Sequence, residues 1–160
     1  RLSLTTFDHH NHDLCVNRAM QHTRHACAAQ NLHLTPAREF VLSVLLEEHR
    51  AMGAYEILDR LKSADLGSQP PIAYRALEFL TAHGFAHKIE RLNAFVACTH
   101  QHGSHTPAFF ICTGCGTVAE TAIPALGDPI SPVAQSIGFH VARMTLEAEG
   151  HCQNCHEAAQ

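Results

Sequence analysis

Two cysteine pairs of identical spacing, Cys112-Thr-Gly-Cys115 and Cys152-Gln-Asn-Cys155, constrain this chain more than any other feature. Two C-x2-C knuckles supply four thiolates, a complete tetrahedron for a borderline-soft divalent ion such as zinc. No position is left open, so the site reads as structural. A disulfide framework and a thioredoxin-like redox motif are the competing readings. A redox C-x-x-C opens a helix after a strand. Cys115 leads instead into Gly116-Thr-Val-Ala-Glu120, which reads as a turn entering a strand. The chain has seven cysteines, an odd number, and four sit in knuckles. That usage fits metal binding in a reducing compartment better than a secreted disulfide scaffold.

The stretch before and through the first knuckle holds more ligand chemistry: His87, Cys98, His100, His102, His105 and Glu120. It also joins two compositionally different halves, so a metal held here would control how one half sits on the other. His87, Cys98, His105 and Glu120 offer a mixed nitrogen, sulfur and oxygen set. They come from separate segments, and spacing alone does not group them. His100 and His102 have the reach to replace His105. Mixed ligation holds zinc less irreversibly than four thiolates, which suits a sensor.

The 160 residues make one or two small domains, and a hydrophobic fraction of 46% is enough for a core. No membrane-spanning run and no signal peptide stand out, which predicts a cytoplasmic protein with no membrane partner. The net charge of −4 does not announce a nucleic-acid binder, but its distribution is uneven. Residues 1–92 hold 10 Lys/Arg and 10 Asp/Glu, a balance of zero; residues 93–160 hold 1 and 5, a balance of −4. Phosphate contacts come mainly from Lys and Arg, so any DNA binding belongs to the first part.

Asp8-His-His-Asn-His12 reads as a mobile polar end rather than a metal arm. A helix follows from about Asp13 to Asn31, with Leu14, Ala19, Met20 and Cys27 as a partial apolar face. Thr35 and Pro36 form a helix start, N-cap and first helical residue. That helix carries Phe40, Val41, Val44 and Leu45 to about His49. A third helix spans Ala54 to about Ala64 with Tyr55, Leu58 and Leu61 on one face. After a turn-rich loop, a fourth runs from Pro71 to His83 with Ile72, Ala76, Leu77 and Leu80 as its buried stripe. Strands Phe85–Glu90 and Ala94–Cys98 form a hairpin. Three short helices followed by such a hairpin make a winged helix, whose last helix enters the major groove. Tyr74 and Arg75 lie near that helix's start, where free N–H groups favour phosphate. Arg75 is able to grip guanine bidentately or clamp a phosphate. Its competing role is a surface ion pair with Glu78. Tyr55 opens the preceding helix and adds a backbone contact.

Beyond a His-rich hinge at 99–107, strands are expected at Ala108–Cys112, Thr117–Thr121 and Phe139–Glu149, with a short helix between Pro129 and Ile137. Three strands and one helix make a very small core, which explains a zinc staple. The fold class is therefore α+β: an N-terminal winged helix and a small C-terminal α/β domain with a four-cysteine zinc site. The expected domains are 1–98 for DNA binding (1–12 flexible), 99–107 for the hinge and 108–160 for a C-terminal domain, to which the family resemblance given next assigns dimerisation.

Pro71-Ile-Ala-Tyr-Arg-Ala-Leu77, Gly84-Phe-Ala-His-Lys88, Cys98, His105-Thr, Ile111-Cys-x-x-Cys-Gly116 and Gly150-His-Cys-x-x-Cys155 resemble, in order, the ferric uptake regulator family. The similarity is greatest to its zinc uptake regulators and runs from about Gln30 to Cys155. The resemblance implies a homodimeric repressor that binds double-stranded operator DNA when metal-loaded and shuts off zinc-uptake genes. It implies two zinc ions per chain: one structural, on Cys112, Cys115, Cys152 and Cys155, and one regulatory, on His87, Cys98, His105 and Glu120. It also turns Arg75 from an ion-pair partner into a DNA contact. Ile72 and Ala73 stand where the family often has Thr and Val. Met144 stands where some relatives carry a ligand His, so a further site is not carried over. The alternatives are a relative sensing iron, manganese or peroxide, and a zinc-dependent hydrolase. No H-E-x-x-H motif occurs, so the chain is not expected to be an enzyme.

Overall fold

The computed structural model describes residues 12–48, 50–99, 106–123 and 129–158. Helix α1 (His12–Ala29) buries Ala19, Met20, Thr23 and Cys27, one stripe at helical spacing, whereas Leu14 faces solvent. Helix α2 (Pro36–Glu47) starts where the sequence places it. The Thr35 hydroxyl accepts the Arg38 N–H at 3.3 Å, and Pro36 fills the first turn. Val41, Leu42, Val44, Leu45 and Leu46 bury its inner face. Two cross-links fix its neighbours: the Arg24 guanidinium donates to Glu39, and the Arg38 guanidinium lies 3.9 Å above the Phe79 ring.

Helix α3 (Ala54–Ser63) buries Ile57, Leu58 and Leu61. Tyr55, expected on that face, is 70% exposed. Ile57 and Leu61, four residues apart, complete the stripe in its place. Helix α4 (Pro70–Ala82) buries Ala73, Ala76, Leu77 and Leu80, so Ala73 takes the inner position expected for the half-buried Ile72. The helix ends in a Schellman turn. Phe85 N–H donates to the Leu80 carbonyl at 2.8 Å, and Gly84 supplies the left-handed residue at φ +75°.

The turn feeds a hairpin of β1 (Ala86–Ile89) and β2 (Ala94–Ala97), paired Ala86↔Ala97 through Ile89↔Ala94. Met52 bridges to Phe95 beside it. The second sheet contains β3 (Thr106–Cys112), β4 (Val118–Ile123) and β5 (Leu146–Gly150) in the order β4-β3-β5, with β5 parallel to β3. Helix α5 (Ile130–Ser136) lies between β4 and β5 in sequence. Helix α6 (Gln153–Ala158), which the sequence reading did not expect, carries the end of the second knuckle.

The expected long strand 139–149 is reduced to its last residues. Residues 139–145 form no ladder, and Phe139 and Val141 are exposed. A strand needs a neighbour for its N–H and C=O groups, and among the described residues β3 provides one opposite residues 146–150.

Two apolar clusters result among the described residues. The larger joins the four helices to Phe95 and Ala97 of the hairpin. The smaller contains Ile89 and Val96 from the hairpin and Phe109, Ile111 and Val118 from the second sheet. Both faces of β2 are therefore buried, one against helices and one against the second sheet. None of the described helices is long and apolar enough to cross a membrane.

Candidate metal centres

Strand alternation brings the mixed ligands together. His87 pairs with Val96, so it shares the hairpin face that packs on the second sheet. In that sheet Phe109 pairs with Glu120, and Ile111 with Val118, so Glu120 shares the face that meets the hairpin. Cys98 follows β2 and is fixed by its N–H donating to the Phe85 carbonyl at 2.9 Å. The three side chains converge. His87 Nε2 lies 3.2 Å from Glu120 Oε1, and Cys98 Sγ lies 3.7 Å from the same oxygen. All three ligand atoms lie within 4.8 Å of one another.

Zinc bonds of roughly 2.0–2.3 Å in a tetrahedron place ligand atoms about 3.3–3.8 Å apart. The two contacts to Glu120 are close to that spacing. The chemistry also fits, because imidazole, thiolate and carboxylate in a buried cluster match a borderline cation better than they match one another. Glu120 is 3% exposed at its side chain, and its other oxygen accepts from Thr99 N–H at 2.8 Å and Thr99 Oγ1 at 3.1 Å. That pair of bonds aims Oε1 at His87 and Cys98, the outer-shell support metal ligands usually have. The His87 ring also lies 5.5 Å from the Phe109 ring. Neither Thr99 nor Phe109 was singled out from the sequence; no motif marks them. His105, His100 and His102 lie outside the described residues.

The four knuckle cysteines form a second cluster, again with all ligand atoms within 4.8 Å. Cys112 ends β3, whose parallel register sets it opposite Gly150, and Cys152 follows at once. The Cys152 N–H donates to Cys112 Sγ at 3.3 Å, and Cys115 Sγ lies 3.8 Å from Cys152 Sγ. A sulfur–sulfur edge of about 3.8 Å is what a tetrahedron of about 2.3 Å zinc–sulfur bonds requires. It is far from the roughly 2.05 Å of a disulfide, and all seven cysteines are free. The second knuckle does open a helix after a strand, the arrangement expected of a redox pair. Convergence of both knuckles on one point is the feature a redox pair does not need.

Amide donors, chiefly from Cys152 and Cys115, hold the Cys112 thiol down at about 5. Thr117 lowers that of Cys115, whereas Cys152 and Cys112 push Cys155 up to about 12. Four adjacent thiols cannot all ionise without a cation among them, and a divalent ion removes the conflict. Packing is equally specific: a Cβ on Gly114 would stand 2.9 Å from Cys155 Sγ.

Tyr74 and Arg75 are exposed near the start of α4, and Tyr55 is exposed in the first turn of α3. Among the described residues no ion pair joins Arg75 to Glu78. The guanidinium is thus not consumed by its helix neighbour.

Four helices and a hairpin, set on a small sheet at a His/Cys/Glu cluster and followed by four converging cysteines, define a winged-helix protein of the α+β class with two candidate metal centres. Residues 29–149 match the ferric uptake regulator family. The chain belongs to that family. It is 39% identical over 132 residues to the zinc uptake regulation protein of Escherichia coli K12, covering 82% of this chain and 77% of that protein. Its structure is similar to that of a zinc uptake regulator complexed with zinc and DNA (TM-score 0.85, 36% identity, 90% of this chain and 97% of the other). It is also similar to holo XcZur (TM-score 0.79, 38% identity, 90% and 99%). With apo XcZur the TM-score falls to 0.50 at 35% identity, over 88% and 97% of the two chains. Identity barely changes between the holo and apo comparisons, so the difference is one of arrangement, and the arrangement of this chain is more similar to that of holo XcZur.

Proposed function

We infer that this chain is a zinc-responsive transcriptional repressor, binding operator DNA as a homodimer in the cytoplasm and repressing zinc-uptake genes. One observation carries this reading: His87 from the winged-helix part meets Glu120 from the second sheet at Cys98, where the two parts join. Zinc at that joint is held by His87, Cys98 and Glu120, with His105 as the fourth ligand. The four-cysteine site holds a second, structural zinc on Cys112, Cys115, Cys152 and Cys155. Residues 1–98 form the DNA-binding domain, 99–107 the hinge and 108–160 the dimerisation domain. Zinc binds the closed arrangement better than any open one, so its binding free energy shifts that equilibrium and presents both reading heads together.

Support for a dimer comes from apolar surface left uncovered on one chain. Ile130, Val133 and Ile137 repeat at helical spacing along and just beyond α5, and Ile137 is 75% exposed. The outer face of the second sheet, with Phe110, Ala119 and Ala148, borders a groove of ≈ 460 Å³. Such surface is characteristic of an interface. Ile137→Asp is expected to sediment as a monomer and to lose operator binding while keeping the structural zinc. A dimer of parent strength would remove α5 from the interface.

Tyr55, Tyr74 and Arg75 are the DNA contacts. Arg75→Ala is expected to weaken operator binding by about 1–3 kcal/mol and relax base preference, with zinc content unchanged. An equal loss on random and operator DNA would make Arg75 a phosphate contact only. Selection of duplexes from a random pool, with zinc and with chelator, tests the whole reading. A two-fold-related sequence enriched only with zinc is expected. Enrichment by iron or manganese in place of zinc would favour the sibling sensors. Hydrolytic turnover with no enrichment would favour an enzyme.

A further inference from the structure

We propose that Glu147 is a positioning residue for this zinc response, anchoring the tip of the hairpin to the second sheet from outside both sets of metal ligands. The inference rests on the zinc-regulator reading. It concerns how the closed arrangement is held.

The register of the second sheet places Glu147 opposite Phe109 on one side, as Glu120 is opposite Phe109 on the other. Both carboxylates therefore share the sheet face that meets the hairpin, with the buried Phe109 between them. Glu120 reaches the hairpin through the metal cluster at His87. Glu147 reaches the turn at the far end of β1 directly. Its Oε1 accepts the Glu90 N–H at 2.8 Å, and its Oε2 accepts the Arg91 N–H at 3.0 Å. One carboxylate thus satisfies two successive turn amides, in charge-assisted bonds that are stronger than neutral ones. Arg91 Nε also lies 3.2 Å from Glu149 Oε1, two residues along β5. That pair is largely solvent-exposed and contributes little by itself.

The two carboxylates attach the hairpin at two points beside the apolar contact of Ile89 and Val96 with Phe109, Ile111 and Val118. Apolar contact is non-directional, so the polar attachment at the turn helps fix the angle of the hairpin. Helix α4 runs straight into β1 through the Schellman turn at Gly84, so that angle is also the angle of the DNA-reading helix. Glu120 also accepts from Thr99 without a metal, and its link to His87 and Cys98 is the part that a metal completes. Glu147 biases the chain toward closure in advance, and zinc completes a closure already partly favoured.

Removing Glu147 should therefore weaken zinc binding at the hinge without touching its ligands. With Glu147→Ala, chelator competition in the absence of DNA is expected to show about tenfold weaker hinge affinity, with the four-cysteine zinc retained. Glu147→Gln keeps the shape and one acceptor but turns an amide N–H toward the second donor. An intermediate loss of about threefold is expected, and this near-isosteric change guards against misfolding in the alanine variant. Hydrogen exchange supplies a readout that general destabilisation would not select. Only the Glu90 and Arg91 amides should lose protection, in otherwise protected zinc-loaded protein. Parent hinge affinity in both variants, or unchanged protection of those two amides, would overturn the proposal. A parent protein whose operator binding ignores zinc would overturn the functional reading instead, and the DNA-free affinities would still report on Glu147.

Discussion

Cys152→Ser is expected to lose the four-cysteine zinc and, with it, the folded C-terminal part. Cys152 contributes twice, as a ligand sulfur and through the N–H that donates to Cys112 Sγ at 3.3 Å. The second sheet has little apolar packing to hold it. Its inner face shares one small cluster, Phe109, Ile111 and Val118, with the hairpin. Structural zinc sites of this type contribute about 10–16 kcal/mol of apparent binding free energy at neutral pH. A whole domain is stable by only about 5–15 kcal/mol. Losing even part of the metal term is therefore enough to unfold it. Metal analysis should find the structural zinc absent, and far-ultraviolet circular dichroism should show lost strand signal. A dimeric, fully metal-loaded Cys152→Ser protein would contradict the structural role.

Cys98→Ser should separate the second centre from the first. The serine hydroxyl is a poor zinc ligand beside a thiolate, and Cys98 belongs to a different cluster from the four knuckle cysteines. The protein should stay folded and dimeric, keep one zinc per chain, and lose its zinc-activated operator binding. Couplings between two sites typically amount to about 1–3 kcal/mol, or roughly 5–150-fold in affinity. The whole of that factor should disappear. His87→Ala should behave alike. Glu120→Ala should be milder, because water is able to replace one oxygen ligand. Thr99 would then lose its partner as well. Zinc requires a neutral imidazole, a thiolate and a carboxylate, so protons compete with it, and activation should fade as pH drops. Retention of parent zinc dependence in Cys98→Ser would exclude the joint as the sensing site.

The knuckles were legible in the sequence because their chemistry is local: spacing alone pairs Cys112 with Cys115 and Cys152 with Cys155. The start of α2 was legible for the same reason, since Thr35 and Pro36 act on neighbouring amides. The mixed cluster was not. His87, Cys98 and Glu120 meet only through the register of two sheets and the packing of one on the other, and neither is encoded by spacing. Family resemblance, rather than pattern, drew those residues together. Phe139–Thr145 was misread because an apolar stretch suited to a strand still needs a neighbouring strand, and the described residues offer none there. Tyr55 was grouped with Leu58 and Leu61 on one face, whereas Ile57 joins them in the buried stripe. Glu147 carried no signal at all. Its partners are backbone amides more than fifty residues away.

The account assigns folding to one metal centre and response to the other, and one titration tests that division. Operator affinity and bound zinc should be measured together across a series of buffered free zinc concentrations. At low free zinc the protein should be dimeric, carry one zinc per chain and bind the operator weakly. Tight binding should appear only as the second zinc is taken up, with the same midpoint. Full operator affinity at one zinc per chain would contradict the account.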